Sequence, residues 1–210
     1  MASHQQSTHS SMASHSPKGP SFSVRINEPK TESQGAAKLL ANISANPVLD
    51  NPSSFNAFCR DICFRWKEEF PSGLPGISPV TSQFTNLLAR ISPNDSMTIP
   101  TSWGGVVVEK HEHPKVEKWL VVRESGYLAL EWHKEKQERM EVREGVGVLL
   151  SGSSLRDSNL NIEVLTPGSV VEFKPGEVHC LIGCQNLLVW ETSTDPKGMD
   201  KDLEFIFMPA

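Results

Sequence analysis

Val106-Val107-Val108-Glu109-Lys110-His111-Glu112-His113-Pro114-Lys115-Val116-Glu117-Lys118-Trp119-Leu120-Val121-Val122 decides the fold. Both ends are β-branched and apolar, the middle is polar, and Pro114-Lys115 interrupts the run, so it reads as two strands joined by a turn. The same grammar continues on either side. Period-two segments lie at 106–109, 116–122, 127–132, 140–142, 146–150, 162–165, 170–173, 178–182, 187–191 and 203–208, separated by Gly, Pro, Asp and Ser clusters. Short strands at this spacing predict a mainly β fold, a sandwich or a barrel whose closure hides the sheet edges. The longest polar break, 152–159, predicts an exposed loop.

Upstream the period changes. Ala36, Ala37, Leu39, Leu40 and Ile43 form one block, and Phe55, Phe58, Ile62 and Trp66 repeat at three and four residues, the spacing of a helix that buries one face. Asn51-Pro52-Ser53 offers a capping side chain and a first-turn proline, and Pro71 ends the segment. A further helix is expected over 79–91. Residues 31–96 are therefore read as a helical extension packing on the β domain of 97–210. Cys59 and Cys63 share one helical face and read as buried thiols. Residues 1–30, rich in Ser and carrying His4, His9 and His15, hold few large apolar groups and read as a disordered tail.

The chain has 210 residues, 20 basic and 25 acidic, for a formal charge of −5. With no Lys/Arg run there is no surface for tracking phosphates, which argues against nucleic acid. No apolar stretch reaches the roughly 20 residues a membrane span requires, and no apolar core of a secretory signal is present. A cytoplasmic protein with a small-molecule partner is expected; the acid-free, Ser-rich start is also the composition of an organelle transit peptide. The four cysteines are too few for a disulfide scaffold and read as free thiols.

Histidines carry the chemical signal. On an extended strand residues two apart share a face, so His111 and His113 present both imidazoles to one side. Glu117 can return to that side from the next strand, and His179 can approach after the Pro175-Gly176 turn. Three imidazoles and a carboxylate suit one divalent transition metal: Zn, Mn or Fe. His133, at a strand end, reads as a solvated histidine. Cys180 must face opposite to His179.

His111-x-His113-x-x-x-Glu117, followed by Gly126, Gly168, Pro175-Gly176 and His179, resembles the two metal motifs of the cupin superfamily. The resemblance implies a single jelly-roll barrel (a double-stranded β-helix) with the metal inside near one mouth, and a homodimer. The run from His113 to Val122, with Trp119 two residues after Glu117, together with Trp103-Gly104-Gly105 and the closing Trp190-Glu191-Thr192-Ser193, is most similar to the cupin domain of type II mannose-6-phosphate isomerases. Cys180 and Glu204 stand where that pattern carries arginine.

The expected activity is accordingly a metal-dependent isomerase acting on a sugar or sugar phosphate, with a mononuclear iron oxidoreductase and a non-catalytic small-molecule binder as the alternatives. Strand parity places Glu109, Trp119 and Arg123 with Glu117. Glu109 is the candidate base, Arg123 an anion anchor, Trp119 a sugar platform and Lys174 a substrate contact at the barrel mouth. The competing structural readings are an ion pair for Glu109 and Arg123, barrel packing for Trp119 and an exposed turn for Lys174.

Overall fold

The computed structural model describes residues 19–26, 47–78 and 81–210. The expected helix around Leu39, most of the tail, and Pro79 with Val80 lie outside the described residues.

All ten expected strands form: β4 (Gly104–Glu112), β5 (Lys115–Val122), β6 (Leu130–His133), β7 (Gln137–Glu144), β8 (Gly147–Gly152), β9 (Asn159–Leu165), β10 (Val170–Phe173), β11 (Val178–Gly183), β12 (Leu187–Thr194) and β13 (Leu203–Phe207). Three more join them: β1 (Phe22–Ile26), β2 (Val48–Leu49) and β3 (Thr98–Thr101). β1 corrects the reading of 1–30 as tail throughout. Phe22, Val24 and Ile26 alternate with polar residues, and the strand pairs in parallel with β9, burying Phe22 and Val24.

The strands make two sheets, β13-β6-β11-β8-β9-β1-β2 and β10-β7-β12-β5-β4-β3, which face one another as a jelly-roll barrel. In the second sheet, Val106, Leu120, Val189 and Val142 lie in register across four strands. They meet Leu149 and Leu181 of the first sheet in the barrel interior. One row along, apolar pairing stops: Val108, Lys118, Glu191 and Met140 are the register partners. Charge therefore enters the barrel along this row.

Each sheet is covered on its outer face by a helix. α1 (Pro52–Glu69) starts in a reciprocal cap, Asn51 Oδ1 accepting from Ser54 N–H at 3.0 Å and Ser54 Oγ accepting from Asn51 N–H at 3.2 Å, with Pro52 in its first turn. Such a cap satisfies donors a helix start leaves open. Its stripe of Phe55, Cys59, Ile62 and Trp66 buries against Val148, Leu150, Cys180 and Ile182 of the first sheet. α2 (Ser82–Arg90), capped by Thr81, sets Phe84 and Leu87 against Val107, Val121 and Leu188 of the second. None of the helices among the described residues is long and apolar enough to cross a membrane.

Candidate metal centre and barrel cavity

Four donor side chains from three strands meet inside the barrel. Glu131 and His133 lie two apart on β6 and so share its inner face. His179 on β11 is the register partner of Glu131, and Glu138 comes from β7. Ligand atoms of Glu131, His133 and His179 all lie within 4.8 Å of one another. Glu138 Oε1 is 2.9 Å from His179 Nε2, and Glu138 Oε2 is 3.7 Å from His133 Nε2. Phe173 stacks on the His179 ring at 4.3 Å and fixes its plane.

Hydrogen bonding on the far side of each ring sets its tautomer. His133 Nδ1 donates to Asp202 Oδ1 at 3.0 Å, and His179 Nδ1 lies 3.4 Å from the Glu177 carbonyl, which can only accept. With the proton held at Nδ1, each neutral ring offers an Nε2 lone pair to the interior, the arrangement of metal-bound histidines. His179 Nε2 and Glu138 Oε1 are both buried and face one another at 2.9 Å, an ion pair when the ring carries a proton. Ligand atoms bonded to one ion at about 2.1 Å and at right angles to each other lie roughly 3 Å apart. Two acceptors at that separation suit a cation in contact with both.

The electrostatics say the same. Burial pushes Glu131 up to about 7, Glu138 adding to the rise. Burial, followed by the Lys136 ammonium, lowers His133. Burial would lower His179 too, but Glu138 and then Glu131 outweigh it and raise the ring. Glu138 is held well below the carboxylate range, because the Lys136 ammonium and His179 overcome the effect of burial. Without an ion, a proton on His179 supplies part of the positive charge that these carboxylates require.

A buried ion network supports the cluster. Lys136 Nζ contacts Glu138 Oε2 at 2.6 Å, Glu191 Oε1 at 2.7 Å and Asp200 Oδ1 at 2.7 Å. Lys118 pairs with Glu191 at 3.3 Å and with Asp200. The loop between β12 and β13 delivers three aspartates, Asp195, Asp200 and Asp202. Asp195 accepts the N–H groups of Gly198 and Asp200, while Asp202 accepts those of Glu135 and Lys136 besides holding His133. Met199 and Asp200 sit at φ of +50° and +60°, a left-handed conformation that costs about 1–3 kcal/mol per residue and clusters at functional sites.

Above the charged floor lies a cavity of about 380 Å³. It is lined by residues of β3 and β13, each at one edge of its sheet, and by Trp103, Leu128 and Met199 among others. Its size is that of a small-molecule site.

The sequence-selected residues fall elsewhere, with one exception. His179 is in the cluster; His111, His113 and Glu117 are not. His111 pairs with Val116, and the register runs on through Ser193 to Glu138. Three strand spacings of about 4.8 Å therefore separate His111 from Glu138 along the sheet, roughly 14 Å. His111 and His113 are exposed on the β4–β5 hairpin. Glu117 shares a row with Thr192, Arg139 and Glu172 on the opposite face from Lys118. It lines a second, polar groove that also includes Lys174 and shares Glu138 with the cavity. Parity thus runs opposite to expectation: the even residues of β5 face the interior.

The same inversion moves the remaining candidates. Glu109 pairs with Arg90 of α2 at 2.8 Å on the surface, and Arg123 and Lys174 are exposed. Trp119 packs on Trp190, ring centroids 4.6 Å apart, outside the barrel beside α2. His133, read from sequence as solvated, is 4% exposed and central. The missed signal was present. Glu131-x-His133 followed by Glu138 resembles His111-x-His113 followed by Glu117, with a carboxylate in place of the first imidazole and one more residue before the closing Glu.

No protein-family model and no curated protein matches the sequence. Among solved structures, a mutant of Bacillus subtilis oxalate decarboxylase is similar at 14% identity and a TM-score of 0.45, covering 52% of this chain and 29% of that one. The capsular polysaccharide assembling protein CapF of Staphylococcus aureus is similar at 14% identity and 0.47, covering 53% and 32%. A further structure of the same decarboxylase, described with Mn(II) centres, gives 13% identity and 0.46, covering 53% and 30%. The chain thus spans about a third of the length of each.

Proposed function

We propose that the protein is a metal-dependent isomerase of a small hydroxy-carbonyl compound, with a divalent transition ion held by His133, Glu138 and His179 and bordered by Glu131. The observation that carries this reading is the pair of buried imidazoles whose Nδ1 groups are engaged and whose Nε2 atoms face buried carboxylates. The donor set holds more oxygen than the three-histidine set expected from sequence, which favours manganese or iron over zinc.

When bound, the ion supplies a Lewis acid for the substrate oxygen. His133, Glu138 and His179 would hold the ion, and Lys136 and Lys118 keep the surrounding carboxylates ionised. The side chain of Glu131 is 12% exposed against 1% for Glu138 and 2% for His179, and it lines the cavity. It is the donor placed to move a proton. A C–H bond at the carbinol carbon breaks as Glu131 takes its proton and the carbonyl oxygen takes one up, giving an enediol. Glu131 then returns its proton to the former carbonyl carbon while the former hydroxyl oxygen gives up its proton and becomes the carbonyl, so that one C–H and one O–H are broken and remade. Specificity for sugar phosphates draws no support from the cavity, since Arg123 and Lys174 lie outside it and both interior lysines are already paired with carboxylates.

The test pairs elemental analysis with proton exchange. In D₂O the metal-loaded protein should introduce deuterium beside the carbonyl of a turned-over hydroxyketone, and Glu131→Gln should keep the metal and lose the exchange. Metal-loaded protein that exchanges none of a panel of hydroxyketones and sugars contradicts the isomerase reading.

A further inference from the structure

The cavity combines charged and apolar linings. Its charged floor joins Lys118, Lys136, Glu131, Glu138, Glu191 and Asp200, whereas its walls are Val106, Leu120, Leu128, Met140 and Met199. At the mouth, Ile99, Phe205 and Met208 are 42%, 53% and 52% exposed. Exposed large apolar side chains gathered at the opening of an apolar passage mark a binding surface.

Charge restricts what can reach the floor. Four carboxylates (Glu131, Glu138, Glu191 and Asp200) face two ammonium groups, an excess of at most two negative charges. A divalent ion would at most neutralise that excess, and both ammonium groups stay paired with carboxylates. A phosphate, itself carrying about two negative charges at neutral pH, would find no unpaired cation on that floor.

Hydrogen-bonding capacity restricts it further. Lys136 has three donors and three carboxylate partners, so it has none to spare. Along the walls the Thr101 hydroxyl is a buried group without a partner. A sugar would bring a hydroxyl on nearly every carbon into apolar surroundings, and each one left unpaired costs about 1–3 kcal/mol. An apolar body of the same size is instead favoured by burial at about 25 cal/mol per Å².

We infer that the substrate is an uncharged hydroxy-carbonyl compound with an apolar, aryl or branched-alkyl body, its two oxygens at the floor and its body along the walls toward Phe205. This rests on the metal-dependent reading of the same site and names the substrate class within it.

The test uses full-length protein loaded with Mn²⁺ and verified at one ion per chain, titrated calorimetrically with 2-hydroxyacetophenone and with fructose 6-phosphate. The hydroxyketone should bind at least tenfold more tightly. Phe205→Ser, a change at an exposed position that the fold tolerates, should weaken hydroxyketone binding several-fold and leave metal content at one per chain. Equal or tighter binding of fructose 6-phosphate, binding of neither probe, or no effect of Phe205→Ser overturns the substrate class while the metal site stands. Wild-type protein that takes up no metal overturns both.

Discussion

Replacing Lys136 by Met isolates what the buried network contributes. The ammonium is 1% exposed and within 2.7 Å of Glu138, Glu191 and Asp200. Methionine has nearly its length and no charge, so the cavity stays filled. Glu191 and Asp200 keep Lys118; Glu138 loses its lysine and is left among His133, His179 and the neighbouring carboxylates. Removing one partner of a buried ion pair costs about 3–5 kcal/mol, because the other charge remains uncompensated. With a urea m-value of about 2 kcal/mol per M, the midpoint of metal-free protein should fall by roughly 1.5–2.5 M at unchanged m. Glu138→Gln in the same protein should recover at least about 1 kcal/mol, since contacting residues couple in a double-mutant cycle. Divalent metal should restore part of the loss by putting positive charge back beside Glu138. A midpoint shift below about 0.5 M, or strict additivity with Glu138→Gln, refutes the reasoning.

Other outcomes follow from single features. Phe55→Ala, which empties the space between Tyr127 and Phe207, should cost about 3–5 kcal/mol in thermal or urea unfolding. All four cysteines are buried and free, and burial pushes the Cys63 thiol up to about 12, Cys180 adding to it; a thiol reagent at neutral pH should therefore react slowly with native protein and with four thiols once it is unfolded. Glu131 has a folded value of about 7, above its unfolded value of roughly 4.3. Metal-free protein should then lose stability as pH rises between these values, by on the order of 3 kcal/mol, and melting curves of Glu131→Gln should lack that loss.

The strands were legible because alternation needs only apolar residues in sequence order, and β-branched runs such as Val106-Val107-Val108 leave little choice. β1 was hidden by composition: serine dominates around Phe22 and Val24, yet their period-two spacing was there to read. The site was less legible because parity alone does not say which face of a strand is inside. On β5 both faces are covered, the even one by the barrel and the odd one by α2 through Val121 and Trp119, so hydrophobicity could not orient Glu117. Histidine count then favoured His111 and His113 over a cluster in which Glu131 replaces an imidazole. Nothing local to His133 announces Asp202, which arrives from a loop beyond β12 to fix the ring.

The central claim is that the ion sits among His133, His179 and Glu138 rather than on the β4–β5 hairpin. Metal stoichiometry, measured by elemental analysis on protein expressed with manganese, iron and zinc supplied, tests it most directly across three proteins. Wild type and the double variant His111→Ala/His113→Ala should each carry one ion per chain, and His133→Ala, still folded by circular dichroism, should carry none. Full metal in His133→Ala together with its loss from the hairpin variant would contradict the account.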